Sequence, residues 1–389
     1  MNERKSVLFA CYGLGIGGIE KCLVNLINVM PEQDFDIDLL IMNPEYDMLP
    51  QIRRKVNLID SFSYILNTEF TMQEIQKRGG LWKHRKMLLP YVEHRVRIKL
   101  GLPLWTQFRA IEKEYDIAVA YSQNGLAPYY IMDKTYAKRK VLWYHNGAYE
   151  RTEKEFLLDQ KYYTQYDFVV GVSDFCADVL REKFSFREDQ LVVLKNICDT
   201  SKIRQDSQLF VPDTYEKKEF HIATVGRMAI EKGPDLALEA CRILHDTGNP
   251  VCWHWIGDGP QRSEIQSKVK EYGLENSFLL EGNRVNPYPY IRSCDLYVQT
   301  SRYESYSMTT MEAQILYKPI VITGVGGMKN LIQNGKNGIL VRPNAQAIAE
   351  GVRKLMDDPM LRESFVKTLT DNTYLMEAHF EEYGKRVFA

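Results

Sequence analysis

Two glutamates in one short stretch offer the most definite chemistry in this sequence. Glu304 follows an apolar run, Asp295–Ser301, that reads as a strand bounded by polar residues. From Ser305 the spacing turns helical, with Met308, Met311, Ala313 and Ile315 before a stop at Lys318-Pro319. A carboxylate at the carboxyl end of a strand is thus followed at once by the N–H groups of a helix start, where anions are favoured. Glu312 lies eight residues beyond Glu304, about two turns along that helix. Two acids flanking a free row of amides can grip the hydroxyls at both ends of a nucleotide sugar while the amides hold its diphosphate. A solvated pair of surface glutamates has the same spacing.

Two cations stand at another strand end. Gly226-Arg227 closes the strand His221–Gly226, and Lys232-Gly233-Pro234 opens the next helix. Arginine offers a fork for two phosphate oxygens and lysine a point charge, so the two can converge on one anion. If a diphosphate leaves, they neutralise its developing charge without a metal; solvated surface charge is the competing reading. Gly257-Asp258-Gly259-Pro260 reads as a structural turn. His145 ends a strand at Tyr144-His145-Asn146-Gly147, where it either reaches a ligand across a cleft or is packed in the fold. No metal site is expected: Asp34, Asp36 and Asp38 alternate at a strand start without further ligands nearby. No cofactor is called for, and no Ser-His-Asp or Cys-His arrangement follows from spacing.

Positioning such groups takes strands with glycine-rich or charged turns at their ends. Val7–Tyr12 is followed by Gly13-Leu-Gly15-Ile-Gly17-Gly18-Ile-Glu20 and a helical pattern through Leu23, Leu26, Ile27 and Met30. There the backbone can come close to a phosphate or a sugar. The spacing departs from the dinucleotide fingerprint G-x-G-x-x-G, and a tight strand-to-helix turn is the alternative. Further strands are expected at Ile37–Met42, Val56–Asp60, Ile117–Tyr121, Val141–His145, Phe168–Ser173 and Leu191–Leu194, with helices at Leu104–Glu114, Glu153–Tyr163 and Asp174–Phe184. A second series runs from His221 to Val341, and helical material closes the chain from Met360 to about Phe388. Strands alternating with helices indicate parallel sheets covered on both faces. The expected organisation is a first α/β domain over 1–199, a polar, irregular linker over 200–219, a second α/β domain over 220–370, and a helix over 371–389 that packs back on the first domain.

At 389 residues the chain is long enough for two to three domains, each with its own core. A formal net charge of −1 argues against nucleic-acid binding driven by bulk charge. Seven scattered cysteines, none spaced C-x-x-C, suit buried thiols in a reducing cytoplasm. The first apolar run is too short for a signal peptide, and no run reaches the roughly 18 apolar residues of a membrane span. One segment breaks the rhythm. Residues 77–109, overlapping an insertion at about 61–105, carry nine Lys or Arg against Glu93 alone, interleaved with Trp82, Tyr91 and Trp105. That mixture suits a surface element on the anionic inner face of a membrane. It also suits an ordinary helix pair packed on the first domain.

Four motifs give the chain a family resemblance: G-I-G-G-I-E after the first strand, V-G-R-M-A-I-E-K-G at Val225–Gly233, I-G-D-G-P-Q-R at Ile256–Arg262, and E-x(7)-E from Glu304 to Glu312. With these it resembles the family-4 retaining glycosyltransferases (group 1) of the GT-B fold: two facing Rossmann-like domains with a cleft between them. The resemblance covers nearly all of the second unit and the framework of the first. It implies that Arg227 and Lys232 hold the donor diphosphate with amides around Tyr306, Ser307 and Met308. Glu312 then binds the ribose hydroxyls and Glu304 those of the donor sugar, with His145 touching that sugar. Gly17 and Gly18 lie against the diphosphate and acceptor, and the base lies near Asn283-Arg284-Val285. Where relatives often show E-G-F-G, this chain has Glu304-Ser305-Tyr306-Ser307, which narrows the pocket.

The activity so implied is metal-independent transfer of a sugar from a nucleotide diphosphate sugar, a UDP-sugar, to a glycan or lipid-linked acceptor in bacterial cell-surface polysaccharide synthesis. Acceptor attack and nucleotide departure would share one face of the sugar, and the leaving phosphate oxygen would take the acceptor's proton. Two other readings fit the fold. One is a nucleotide-sugar 2-epimerase or sugar phosphorylase, for which no pattern of residues is present. The other is a non-catalytic partner subunit that binds a glycosylated protein, against which the intact Arg227, Lys232, Glu304 and Glu312 set argues.

Overall fold

Two parallel sheets organise the chain. The computed structural model describes residues 4–43, 45–59, 96–97, 99–100, 102–123, 125–215, 219–371 and 379–389. The first sheet contains β1 (Lys5–Cys11), β2 (Phe35–Ile41), β3 (Asn57–Ile59), β4 (Ile111–Ala120), β5 (Thr135–Tyr144), β6 (Phe168–Gly171) and β7 (Leu191–Val193) in the order β3-β2-β1-β4-β5-β6-β7. The second contains β8 (Phe220–Val225), β9 (Val251–Ile256), β10 (Phe278–Gly282), β11 (Leu296–Gln299), β12 (Ile320–Thr323) and β13 (Ile339–Val341) in the order β10-β9-β8-β11-β12-β13. Every paired strand runs parallel to its neighbour. The strand order reverses between β1 and β4 and again between β8 and β11. At such reversals the connections leave in opposite directions, and a crevice opens beyond the carboxyl ends of the two strands.

Helices cover the sheets because the strands' apolar runs must be buried on both faces. On the first sheet these are α1 (Gly18–Val29), α2 (Ala127–Lys134), α3 (Glu153–Tyr163) and α4 (Asp174–Lys183). Local chemistry sets their starts. Thr152 and Glu155 form a reciprocal capping box on α3, and Ser173 caps α4 through the Cys176 N–H. Between the sheets lies α5 (Thr200–Asp206), capped by Asp199. The second sheet carries α6 (Pro234–Asp246), α7 (Arg262–Glu271), α8 (Tyr288–Ser293), α9 (Met308–Ile315), α10 (Ala345–Asp357) and α11 (Pro359–Asp371), and α12 (His379–Tyr383) follows. All seven cysteines are buried and free. Among the described residues no helix is long and apolar enough to cross a membrane.

Several local expectations need correcting. The helix expected over Leu104–Glu114 is a 3-10 turn, Leu104–Gln107, followed by a strand that already begins at Ile111. The β4–β5 pairing extends back to Ile111 and Thr135, so neighbouring strands, rather than the Lys-Glu-rich local sequence, decide the conformation there. Residues 200–206, read as irregular, are helical because Asp199 accepts from the Lys202 N–H. Most of the basic segment 77–109 lies outside the described residues. At its carboxyl end Trp105 is buried, packs against the tilted ring of Tyr129 and donates to Asp133 at 2.7 Å, so this aromatic faces the core.

The last residues return to the first sheet. Lys5 Nζ donates to the Phe388 carbonyl at 3.0 Å, and Arg139 reaches the carbonyls of Val387 and Ala389, each at 2.8 Å. The Tyr383 hydroxyl donates to the Lys195 carbonyl. Phe388 packs against Phe9, Phe35 and Trp143. Removing so much buried ring leaves a cavity, so Phe388→Ala is expected to lower unfolding free energy by about 3 kcal/mol. Equilibrium urea unfolding measures this, and a change below about 0.5 kcal/mol, the range of an ordinary surface substitution, would contradict this packing.

Candidate active site

The reversal between β8 and β11 brings together two of the residue sets that the sequence offers. Beyond β8 the chain passes Gly226 and Arg227 into a 3-10 turn, Ile230–Lys232, and then α6. Beyond β11 it passes Ser301 and Glu304 into α9. Lys232 Nζ donates to Glu304 Oε2, joining cation and carboxylate across the gap.

The backbone that presents Lys232 is tightly braced. Thr300 Oγ1 donates to the carbonyls of Lys232 and Gly233 at 3.0 and 2.9 Å. Gly233 has φ +67°, and a Cβ there would stand 2.3 Å from the Thr300 carbonyl oxygen, so only glycine fits. Arg302 holds Asp235 through two bonds of 2.7 and 2.6 Å, and its N–H donates to the Glu231 carbonyl at 2.7 Å. The bidentate pair fixes the two loops in register. Beneath Glu304 lies a buried chain of polar bonds. Thr309 and Tyr297 hydroxyls both donate to Gln299 Oε1, Gln299 Nε2 donates to Ser301 Oγ at 3.1 Å, and Ser301 Oγ reaches Glu304 Oε2 at 3.4 Å.

The turn from Glu304 to Met308 is held from outside by Gly327, whose N–H donates to the Glu304 carbonyl at 3.1 Å, and by Ser173 of the first half, whose hydroxyl donates to the Ser305 carbonyl at 3.0 Å. Among the described residues no acceptor is bonded to the backbone N–H groups of Ser305, Tyr306, Ser307 or Met308. Ser307 caps α9 by accepting from Thr310, and the dipole of the helix adds partial positive charge at the same spot. Four unclaimed donors following the carboxylate that holds the Lys232 ammonium are a set that an anion with several oxygens can satisfy.

The other predicted residues are placed less uniformly. Glu312 lies within α9, whereas Glu304 precedes it, so the two acids do not share a helix face. The side chain of Glu312 has 0% exposure, and its cation is Lys21 of α1, with Nζ 2.6 Å from Oε1. Beyond that contact neither Glu312 oxygen has a partner among the described residues. Lys21 also lies 4.7 Å above the Tyr288 ring. Burial would lower its pKa, but the adjoining Glu312 carboxylate wins and holds it above the usual lysine range. Gly17 caps α1, with the Glu20 side chain folded against it, and Gly18 has open space where a Cβ would be.

Arg227 is 68% exposed and pairs with Glu231, four residues on, rather than with Glu304. His145 is turned inward. Its ring Nε2 bonds the Tyr121 carbonyl at 3.1 Å, its N–H donates to Gln123 Oε1, and burial pushes its pKa down to about 4. Near it, Gly147 lies close enough to the second half that a Cβ would meet Ser305 Cα at 3.3 Å. The Tyr306 ring packs into the core shared by the two halves, with burial raising its phenol pKa. Asn283 is exposed, and Arg284 extends over the Tyr290 ring toward Glu281.

Lys21 was missed by sequence reading, although a signal exists. Lys21, Asn25 and Asn28 form a polar stripe beside the buried face of α1, and Asn25 and Asn28 spend their side chains on the carbonyls of Ile197 and Gln51. A lysine in such a stripe has to find a buried partner.

Comparisons with known proteins agree with this architecture. Residues 16–202 match the model of Glycosyltransferase Family 4, and residues 206–370 that of Glycosyl transferases group 1. The chain is 23% identical to the N-acetylgalactosamine-N,N'-diacetylbacillosaminyl-diphospho-undecaprenol 4-alpha-N-acetylgalactosaminyltransferase of Campylobacter jejuni over 91% of each protein. It is 33% identical to the alpha-D-kanosaminyltransferase of Streptomyces kanamyceticus over 142 residues, which cover 36% of this chain and only 37% of that protein. The crystal structure of Anabaena HepE in complex with UDP superposes with a TM-score of 0.68 at 18% identity, over 97% of this chain and 95% of that one. The chain belongs to the family-4, group 1 glycosyltransferases and has their two-sheet GT-B fold.

Two expectations test the site's electrostatics. Lys21→Met strands a buried carboxylate and is expected to cost roughly 3–5 kcal/mol, whereas Lys21→Met combined with Glu312→Met is expected to recover most of it. Chemical denaturation of the three chains distinguishes this from simple loss of packing, which the second change would worsen. For His145 the folded pKa lies below the unfolded value, so its contribution is full above about pH 6.5 and falls as pH drops toward 4. Between pH 7.5 and 5 the stability gap between the parent chain and His145→Gln is expected to shrink by about 2 kcal/mol. A gap independent of pH would show that the imidazole is not held neutral by burial.

Proposed function

We propose that this glycosyltransferase moves a sugar, with retention of its anomeric configuration, from a UDP-sugar to a hydroxyl of a lipid-linked or polysaccharide acceptor. The observation that carries the reading is the set of four unclaimed N–H groups from Ser305 to Met308 beside the Lys232 ammonium, at the reversal of the second sheet. A diphosphate supplies oxygens in the number and charge that such a set satisfies. The relatives support donor and acceptor classes: one solved neighbour is in complex with UDP, and one relative is named for a diphospho-undecaprenol substrate. A basic, aromatic stretch over 77–109 suits an acceptor carried on an anionic membrane.

The roles follow from position. Lys232, with Arg227 swung from Glu231, neutralises the leaving diphosphate, so fixed cations serve where a divalent metal would otherwise be needed. Glu304, released from Lys232 as phosphate takes the ammonium, accepts hydroxyls of the donor sugar. Glu312 takes the ribose hydroxyls at its unpartnered oxygen, which requires Lys21 to yield space. Asn283 and Arg284 border the base. Gly18 leaves room for diphosphate and acceptor, as does Gly17 once the Glu20 side chain swings off it, and a neutral His145 reaches the sugar from the first half by turning away from the Tyr121 carbonyl. The departing phosphate oxygen takes the acceptor's proton on the face from which it leaves. Binding the charge that develops, rather than the resting substrate, is what lowers the barrier.

Incubating the purified chain with a panel of nucleotide sugars and a diphosphate-linked polyprenol, with NMR of the product's anomeric carbon, tests this reading. Transfer with an unchanged anomer is expected. Binding without transfer to any acceptor would favour a partner subunit, and an inverted product would overturn retention. Lys232→Ala is expected to lower turnover at least a hundredfold with folding intact, equivalent to about 3 kcal/mol of transition-state stabilisation. A loss below tenfold would show that Lys232 does not neutralise the leaving diphosphate.

A further inference from the structure

We infer that the second sheet contains a metal site for a borderline-soft divalent cation such as Zn2+, formed by His221, Cys252 and His254. It lies apart from the proposed donor site: His221 stands at the opening end of β8, six residues before Arg227.

The three residues come from neighbouring strands in register. His221 of β8 pairs with Cys252 of β9, and His254 lies two residues further along β9 on the same face. All three are buried, and their ligand atoms lie within 4.8 Å of one another. His221 Nδ1 and His254 Nε2 are 3.0 Å apart. A tetrahedral zinc with bonds of about 2.0–2.3 Å separates its ligand atoms by roughly 3.3–3.8 Å, so the imidazole pair needs a shift of a few tenths of an ångström and the thiol one of up to about an ångström. One thiolate with two imidazoles is a donor set that favours zinc over calcium or magnesium.

The surroundings supply the second observation. The far ring nitrogen of His254, Nδ1, donates to Glu281 Oε1 at 3.0 Å, which leaves Nε2 as the lone-pair atom. A carboxylate that orients a histidine from behind is the usual support of a zinc-bound imidazole. Glu281 is itself fixed by the Thr214 hydroxyl at 2.9 Å and lies 3.5 Å from Arg284. Tyr215 covers the cluster, stacked 3.9 Å from the His254 ring and 4.7 Å from that of His221. With His254 donating through Nδ1, the hydrogen between the two imidazoles belongs to His221 Nδ1. Metal entry moves that proton to His221 Nε2, deprotonates the Cys252 thiol and so releases one proton to solvent. The ion then has three protein ligands and a fourth position for water. It ties β8 and β9 together, and through Glu281 and Thr214 it ties β10 and the chain between the sheets.

The test uses the full chain freed of any histidine tag, incubated at neutral pH with Zn2+ or Co2+ and gel-filtered. One ion per chain is expected, with a rise in melting temperature and, for Co2+, a near-ultraviolet thiolate-to-metal absorption that Cys252→Ser abolishes. A parent chain that emerges free of metal overturns the proposal and leaves a hydrogen-bonded histidine pair. So does Co2+ binding without the thiolate band, or binding unchanged in both Cys252→Ser and His254→Gln. If His254→Gln does not fold, Cys252→Ser, which exchanges a single atom, decides alone. None of these readouts depends on sugar transfer.

Discussion

A carboxylate without exposed surface stays charged only where a cation meets it, and for Glu312 that cation belongs to the opposite half of the chain. Lys21 leaves α1 directly after the glycine turn of the first sheet, and Glu312 points out of α9 directly after the amide row of the second. The pair therefore fixes how the two strand-order reversals face each other. Around it the buried apolar cluster of the first sheet runs on through Met308, Met311 and Ile315 of α9, so packing and charge agree on one arrangement. A buried ion pair gives little net stability over an apolar replacement, but it penalises misplacement heavily. Position is what it secures.

The same division of labour recurs inside the second half. Lys232 and Glu304 carry the charges, while Thr300, Gly233, Arg302 with Asp235, and the Gln299 network decide where those charges stand. The charged pair is partly exposed at a strand end, while Gln299, Thr300 and Ser301 beneath it are buried. Rigid support beneath a partly exposed charge keeps reorganisation small when a neighbouring charge shifts.

Much of this was legible in the sequence where short-range chemistry decides. The alternation of apolar runs with helical spacing gives the two parallel sheets, and the strand end before Glu304 with the helix after Ser307 follows from local residue types. Partner choice was not legible. Nothing near Arg227 states that it pairs with Glu231, and nothing near His145 states that its imidazole turns into the core toward Tyr121. Both depend on which strands become neighbours. The Lys-Glu stretch after Ile111 shows the limit most directly, because pairing with β5 overrides a sequence that reads as helix. Lys21, His221 and His254 escaped for a related reason. Each makes sense only beside residues distant in the chain.

The route of the last residues has a consequence for biosynthesis. Phe388 fills space among Phe9, Phe35 and Trp143, and residues 387 and 389 cap the Arg139 guanidinium. While the ribosome is still making residues 220–371, that apolar surface lacks its cover, so a nascent first half carries an open seam. Residues 387–389 close it once they have emerged. Maturation of the earliest-made sheet thus waits until residue 388 has been made, and a chain interrupted in its second half exposes ring surface that chaperones and proteases read as unfinished.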